Sequence, residues 1–116
     1  MIDAIMTKPE GKYIYCVIKK PQSFGIEFCG VGGGKLHLIN AGELAAVVSD
    51  SPVMDYPITR DNAMIHQQAI EEAMRAHSSV LPISFGTVAE DGAVVGKRLL
   101  ESNQRELLNA LKSVEG

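Results

Sequence analysis

Cys29 and His37 are residue types that can do nucleophilic chemistry, and they stand on either side of a glycine run, Gly30-Val31-Gly32-Gly33-Gly34. The flanking stretches, residues 26–29 and 35–39, alternate apolar and polar side chains, which reads as a β-hairpin. Pairing Phe28 with Leu38 turns both inward. Cys29 then lies directly opposite His37 on the outer face, with Glu27 and Lys35. An imidazole beside a thiol can draw off its proton to make a nucleophile, or the two can supply half a metal site. The pattern offers no third group to orient the pair, and an incidental surface Cys and His beside glycines is the simpler reading.

The glycine run does not carry phosphate chemistry. A P-loop requires Gly, four residues, then Gly-Lys-Ser/Thr. Counting back from Gly34-Lys35 puts Cys29 where the first glycine belongs and Leu36 where the hydroxyl belongs. No glycine follows Gly32 by three residues, so the dinucleotide pattern fails as well. A mobile hairpin tip is the expectation. Two further histidines, His66 and His77, fall on the apolar side of a helical stretch. For His66 a buried ring tied to backbone or carboxylate is the simpler reading, beside a functional one. His77 suits the C-terminal end of that helix, where a cation complements the dipole.

Elements that position these residues follow from periodicity. Residues 12–18 and 44–49 are apolar on both parities, which predicts two central strands buried on both faces. After Pro57 the period changes to 3.6. Thr59 reads as an N-cap with Asp61 in the first turn. His66, Ala69, Ile70, Ala73, Met74 and His77 share one helical face, and Gln67, Gln68, Glu71 and Arg75 share the other. Residues 80–88 form a short apolar strand region in which Pro82 suits an edge or a bend. A last helix is expected from Gly92 to Val114, about 35 Å long at ~1.5 Å per residue. Ala93, Leu100, Leu107 and Val114 recur along it with Leu99, Leu108 and Leu111 beside them, and Asn103-Gln104 interrupts the stripe. Its Leu107, Leu108, Leu111 and Val114 end is more apolar than a free terminus needs, which predicts a contact with a partner or with a second domain. The fold class expected is α+β, a mainly antiparallel sheet of four to five strands packed on one face by two helices.

Composition narrows the classes. The 116 residues, 46% hydrophobic and 22% charged, suit one folded domain. Eleven basic against fourteen acidic residues, with no Trp and only three Tyr and three Phe, argue against a nucleic-acid binder. The first residues lack the basic start and apolar run of a secretory signal, and residues 1–10 read as a flexible lead-in. The longest uncharged stretch, residues 78–89, is far shorter than the ~20 residues of a spanning helix and holds Pro82 and Gly86. Two cysteines in no zinc spacing read as reduced and cytoplasmic.

Several stretches together resemble the gas vesicle accessory proteins of the F/L type. They are Lys12-Tyr13-Ile14-Tyr15, then Leu44-Ala45-Ala46-Val47-Val48-Ser49, then Arg60 and His66. The most specific is Val80-Leu81-Pro82-Ile83-Ser84-Phe85-Gly86-Thr87-Val88, with His66, Leu81, Pro82, Phe85, Gly86 and Thr87 as family-signature positions of structural character. Ala89 departs from the pattern, where an aromatic residue is more usual. The resemblance covers residues 11–116 as a single α+β domain, the N-terminal half of a two-domain family member. It implies a non-enzymatic role in gas vesicle assembly, without cofactor or metal, in the cytoplasm and in association with gas vesicles. The partners implied are the hydrophobic shell protein, other gas vesicle accessory proteins and the C-terminal domain of the same chain, with no nucleic acid or membrane. The alternatives from the residues are a small thiol-dependent enzyme using Cys29 and His37 and a metabolite-binding regulatory domain.

Overall fold

The computed structural model describes residues 11–20, 29–76 and 79–115. The expected lead-in, the first hairpin strand up to Phe28, and His77 lie outside the described residues, as do the side chains of Val114 and Glu115.

Five strands form one antiparallel sheet: β1 (Lys12–Lys19), β2 (Leu36–Ala41), β3 (Leu44–Asp50), β4 (Val80–Pro82) and β5 (Val88–Ala89). Helix α1 (Arg60–Ala76) separates β3 from β4. After β5 comes α2 (Gly92–Val94), which passes directly into a π-helical stretch (Val95–Glu101), and then α3 (Gln104–Glu115). The strand order is β2-β3-β1-β4, with β5 also on β1. The two stretches apolar on both parities are therefore the two inner strands.

A bulge in β1 arranges the core. Ile14 faces Val48 and Cys16 faces Val47, so Tyr15 is the extra residue. Tyr13, Tyr15, Cys16 and Ile18 consequently share one face, and Ile14 and Val17 the other. The first face packs on Ala69, Ile70 and Ala73 of α1. The second packs on Val95, Leu100 and Leu111 from the C-terminal helices. The α+β class and antiparallel sheet are as expected, while the helices divide between the two faces instead of sharing one. Inner strands that are apolar on both sides require cover on both sides, at roughly 2 kcal/mol for each large aliphatic side chain removed from water.

Helix α1 begins as the sequence indicates. Thr59 Oγ1 accepts from the Asn62 amide at 3.0 Å, and Asp61 stands in the first turn. Its buried residues are His66, Ala69, Ile70 and Ala73, whereas Met74 is exposed. The C-terminal segment is not the continuous helix expected. Asp91 caps the start, accepting from the Val94 amide at 2.9 Å. The ladder then widens to π geometry and breaks after Glu101. Asn103 Nδ2 donates to the carbonyls of Arg98 and Leu99, and Gln104 Nε2 donates to that of Leu100. Gln104 also accepts from the Glu43 amide at 3.2 Å, which ties the break to the β2–β3 turn. The two amides that interrupt the leucine stripe are thus what terminates one helical segment and starts the next.

Candidate functional site

The glycine run is a tight turn. Gly30 N–H donates to the Gly34 carbonyl at 2.7 Å and Gly33 N–H to the Gly30 carbonyl at 2.9 Å. Gly32 and Gly33 have φ of +88° and +95°, a region that glycine enters without steric cost. Cys29 pairs across the turn with Lys35, not His37. The register is two residues shorter than the Phe28–Leu38 pairing requires, because five residues suffice to close the turn. His37 faces Val48 on β3, and its Nε2 lies 3.0 Å from Asp50 Oδ1. Lys12 Nζ reaches the same oxygen at 2.5 Å. One carboxylate thus joins three adjacent strands, and its two hydrogen-bond partners lower the Asp50 pKa. The thiol–imidazole pair of the enzymatic alternative is not assembled. Cys16, the other thiol, is buried in the core, which pushes its pKa to about 12.

The turn is not a free tip either. Val31 is fully buried, and its N–H donates to the Tyr15 hydroxyl oxygen at 2.7 Å. Tyr15 lies 2.7 Å from Ser49 Oγ, which lies 3.2 Å from Ser51 Oγ, which donates to the Val31 carbonyl at 2.6 Å. Each hydroxyl has one proton, and that fixes every direction. Ser51 donates to the carbonyl, so Ser49 donates to Ser51 and Tyr15 to Ser49. The ring closes on both backbone groups of one residue. It is packed so tightly that a Cβ on Gly30 would collide with the Tyr15 oxygen. Burial raises the Tyr15 pKa to about 12 against the lowering effect of Ser49 and Val31. Nothing in the periodicity marks this ring. Its one sequence signal is two serines and a tyrosine at otherwise apolar core positions.

A second buried network centres on His66. Its Nε2 lies 2.9 Å from the Ile83 carbonyl, which can only accept, so Nε2 carries the proton. Nδ1 then accepts from the Tyr13 hydroxyl at 2.9 Å, and the Tyr13 oxygen accepts from the Gly86 amide at 2.9 Å. The same segment is bonded to β1 by its backbone. Ile83 N–H donates to the Tyr15 carbonyl, and Ile14 N–H donates to the Thr87 carbonyl, both at 2.9 Å. Residues 83–87 therefore leave β1 and return to it within two neighbouring residues. Thr87 Oγ1 donates to the Ser84 carbonyl, Gly86 supplies φ of +87°, and Phe85 stacks edge-on against Tyr13 and His66. Pro82 is exposed at the end of β4, an edge strand, where its missing N–H removes no ladder bond from the sheet interior. Leu81 is half-buried against the second core. The His66 ring, enclosed by Tyr13, Tyr15 and Phe85, has its pKa lowered by burial, offset in part by the Ile83 bond.

Of the leucine stripe, Leu111 is fully buried in this chain's own core, and Leu107 and Leu108 pack half-buried beside it. Among the described residues no group of three His, Cys, Asp or Glu side chains could hold a metal ion. No described helix is long and apolar enough to cross a membrane.

Residues 11–116 match the profile of the family described as gas vesicle synthesis protein GvpL/GvpF. The chain is 28% identical over 116 residues to gas vesicle protein L1 of Halobacterium salinarum, covering 95% of this chain and 41% of that protein. It is also 28% identical over 107 residues to gas vesicle protein F of Haloferax mediterranei, covering 90% and 49%. The crystal structure of GvpF from Anabaena sp. PCC7120 superposes with a TM-score of 0.78 at 22% identity, over 90% of this chain and 43% of that one. GvpF from Microcystis aeruginosa gives the same TM-score at 21% identity. The chain thus spans about half the length of the relatives it matches.

Proposed function

Since the chain belongs to the GvpL/GvpF family of gas vesicle synthesis proteins, we propose that it is a non-enzymatic accessory protein of gas vesicle assembly, acting in the cytoplasm by binding the hydrophobic shell protein and other accessory proteins. The observation that supports this reading is the role of the signature residues. His66, Phe85, Gly86 and Thr87 all serve to clasp the 83–87 segment onto β1, a structural role that fits an accessory protein. A protein whose task is to shield apolar shell subunits before they polymerise needs a rigid scaffold with accessible apolar surface, and no reacting group.

Leu107 and Leu108 are the half-exposed part of the stripe, and with Val114 they are our candidate contact to a partner or to further chain. Leu111 is withdrawn from that role by its burial. Co-expression of the tagged protein with the major shell protein tests the proposal, with co-elution as the expected result. Absence of co-elution, together with normal vesicles in a deletion strain, would overturn it.

A further inference from the structure

The hydrogen bonds around His66 fit only one protonation state of its ring. Nε2 donates to the Ile83 carbonyl, Nδ1 accepts from the Tyr13 hydroxyl, and the Tyr13 oxygen accepts from the Gly86 amide, each at 2.9 Å. A second proton on the imidazole turns Nδ1 from acceptor into donor. Nδ1 and the Gly86 amide then both donate to the Tyr13 oxygen, and the Tyr13 proton is left without an acceptor among the described residues. A buried donor in that position is costly, and water supplies the acceptor only if the cover over it moves.

Among the described residues no charged side chain faces the ring to hold an imidazolium in place. β1 presents Tyr13 and Tyr15, and Tyr56 of the loop after β3 meets Tyr13 edge-on. The 83–87 segment carries no charged side chain, and the α1 neighbours one turn from His66 are Asn62, Ala63, Ala69 and Ile70. The cover that can move without breaking the sheet is the turn at residues 84–86. Its ends are pinned by Ile83 N–H on the Tyr15 carbonyl and by Ile14 N–H on the Thr87 carbonyl, bonds that use neither His66 nor the Tyr13 hydroxyl. Between them Ser84 is exposed and Phe85 half-buried. A Cβ on Gly86 would meet nothing within 4 Å, so the turn has open space on its outer side.

We propose that Tyr13, His66 and Gly86 form a proton-operated latch, in which protonation of His66 releases the turn at residues 84–86 while the five strands stay paired. Closed, the turn holds Phe85 edge-on against His66 and Tyr13. Open, it carries Phe85 outward and lets water reach the imidazolium and the Tyr13 hydroxyl. Burial keeps the His66 pKa below its ordinary 6.5 in the closed state, so opening falls on the acid side of that value. By linkage, a proton that the closed state binds less readily favours the open one.

Amide exchange on the full chain, followed by NMR from neutral pH downward together with the His66 ring signals, tests the latch. Protection factors remove the intrinsic pH dependence of exchange. Gly86 protection is expected to fall about tenfold or more as His66 titrates. Its exchange should not accelerate in dilute urea, the mark of a local opening, whereas the Ile14 and Ile83 amides exchange more slowly and do accelerate. In Tyr13→Phe, Gly86 should be poorly protected at every pH, and in His66→Asn the pH-dependent step should vanish. Should one variant fail to fold, the wild-type titration and the other variant decide the question. Gly86 protection that is constant through the His66 titration would overturn the proposal. So would a His66 that stays neutral until acid unfolding, or a step that persists in His66→Asn. Gly86 exchange that rises with urea alongside Ile14 and Ile83 would also overturn it, because the turn would then open only with the whole sheet.

Discussion

The Tyr13 hydroxyl donates to His66 Nδ1 at 2.9 Å, and this bond holds the residues 83–87 segment against the sheet through both partners. Tyr13 passes the connection to the Gly86 amide, and His66 passes it to the Ile83 carbonyl. Tyr13→Phe keeps the ring in place and leaves His66 Nδ1 and the Gly86 amide without a partner. Each such loss costs about 1–3 kcal/mol. We expect the midpoint of urea unfolding to fall accordingly, and the Gly86 amide to exchange with solvent much faster than in the wild type. An unchanged midpoint would show that the hydroxyl is dispensable.

The same histidine sets a pH dependence. Its folded pKa is depressed below the ordinary 6.5 by burial, so in the interval beneath 6.5 the unfolded chain binds the proton more readily. Stability is therefore complete above pH 6.5 and declines as the pH falls toward the folded pKa. Among the described residues, Tyr13, Tyr15 and Tyr56 are the titratable groups facing this cluster from β1 and from the loop after β3, and none is a carboxylate that would hold the imidazolium. Asp50 acts in a separate window. Its folded pKa lies below the ordinary 3.8, so its contribution is lost only as the pH drops through that lower value. Melting temperature recorded from pH 7.5 to 5 should slope in the wild type and flatten in His66→Asn. Parallel curves would exclude His66 as the source.

The hydroxyl ring should behave as one unit. Ser51→Ala leaves the Val31 carbonyl unpaired and takes the acceptor from Ser49. Once that is done, Ser49→Ala removes a group already half-satisfied, so the double variant should cost less than the two single ones together. A coupling of about 0.5–3 kcal/mol is expected from a double-mutant cycle by chemical denaturation. Additivity would mean that the serines act independently. Gly30→Ala belongs to the same test, because its methyl has no space beside Tyr15 and should destabilise more than either serine change.

How much of this was legible in the sequence follows from what periodicity can encode. Strands that are apolar on both parities announce their central position and, by the same token, two covering layers. Helical spacing puts His66, Ala69, Ile70 and Ala73 on the inner face of α1, where they lie, but it groups Met74 with them, and Met74 is exposed. Which sheet face a helix covers is a tertiary choice that neither helix writes into its own spacing. The hairpin register differs from the expected one, and alternation leaves it open, because a shift of two residues leaves every side chain on the same face. Alternation therefore cannot distinguish Cys29 opposite His37 from Cys29 opposite Lys35. The hydroxyl ring depends on the bulge at Tyr15, which brings Tyr15 and Cys16 onto one face and has no signature of its own in the chain.

The two thiols provide a direct check on the core. Cys29 is exposed, and Cys16 is buried with its pKa pushed up to about 12. Iodoacetamide at neutral pH should label Cys29 alone in the folded protein and both cysteines in denaturant, as read by mass spectrometry. Labelling of Cys16 under native conditions would place β1 outside the core.

The leucine stripe separates packing from contact most sharply. Leu111 is fully buried among Ile14, Val17, Leu44 and Leu100, whereas Leu107 and Leu108 are half-exposed at the edge of that cluster. Leu111→Ala opens a cavity between α3 and the sheet and should cost about 2–5 kcal/mol. Leu111→Glu also buries an unpaired charge, and we expect it to unfold the domain. Leu107→Glu with Leu108→Glu can turn its carboxylates to solvent, so its melting temperature should fall by less than that of Leu111→Ala. If the pair meets a partner, the same double variant should lose co-elution with the shell protein while retaining the wild-type circular dichroism spectrum. Collapse of the fold in the Leu107, Leu108 variant would assign the whole stripe to this chain's own core.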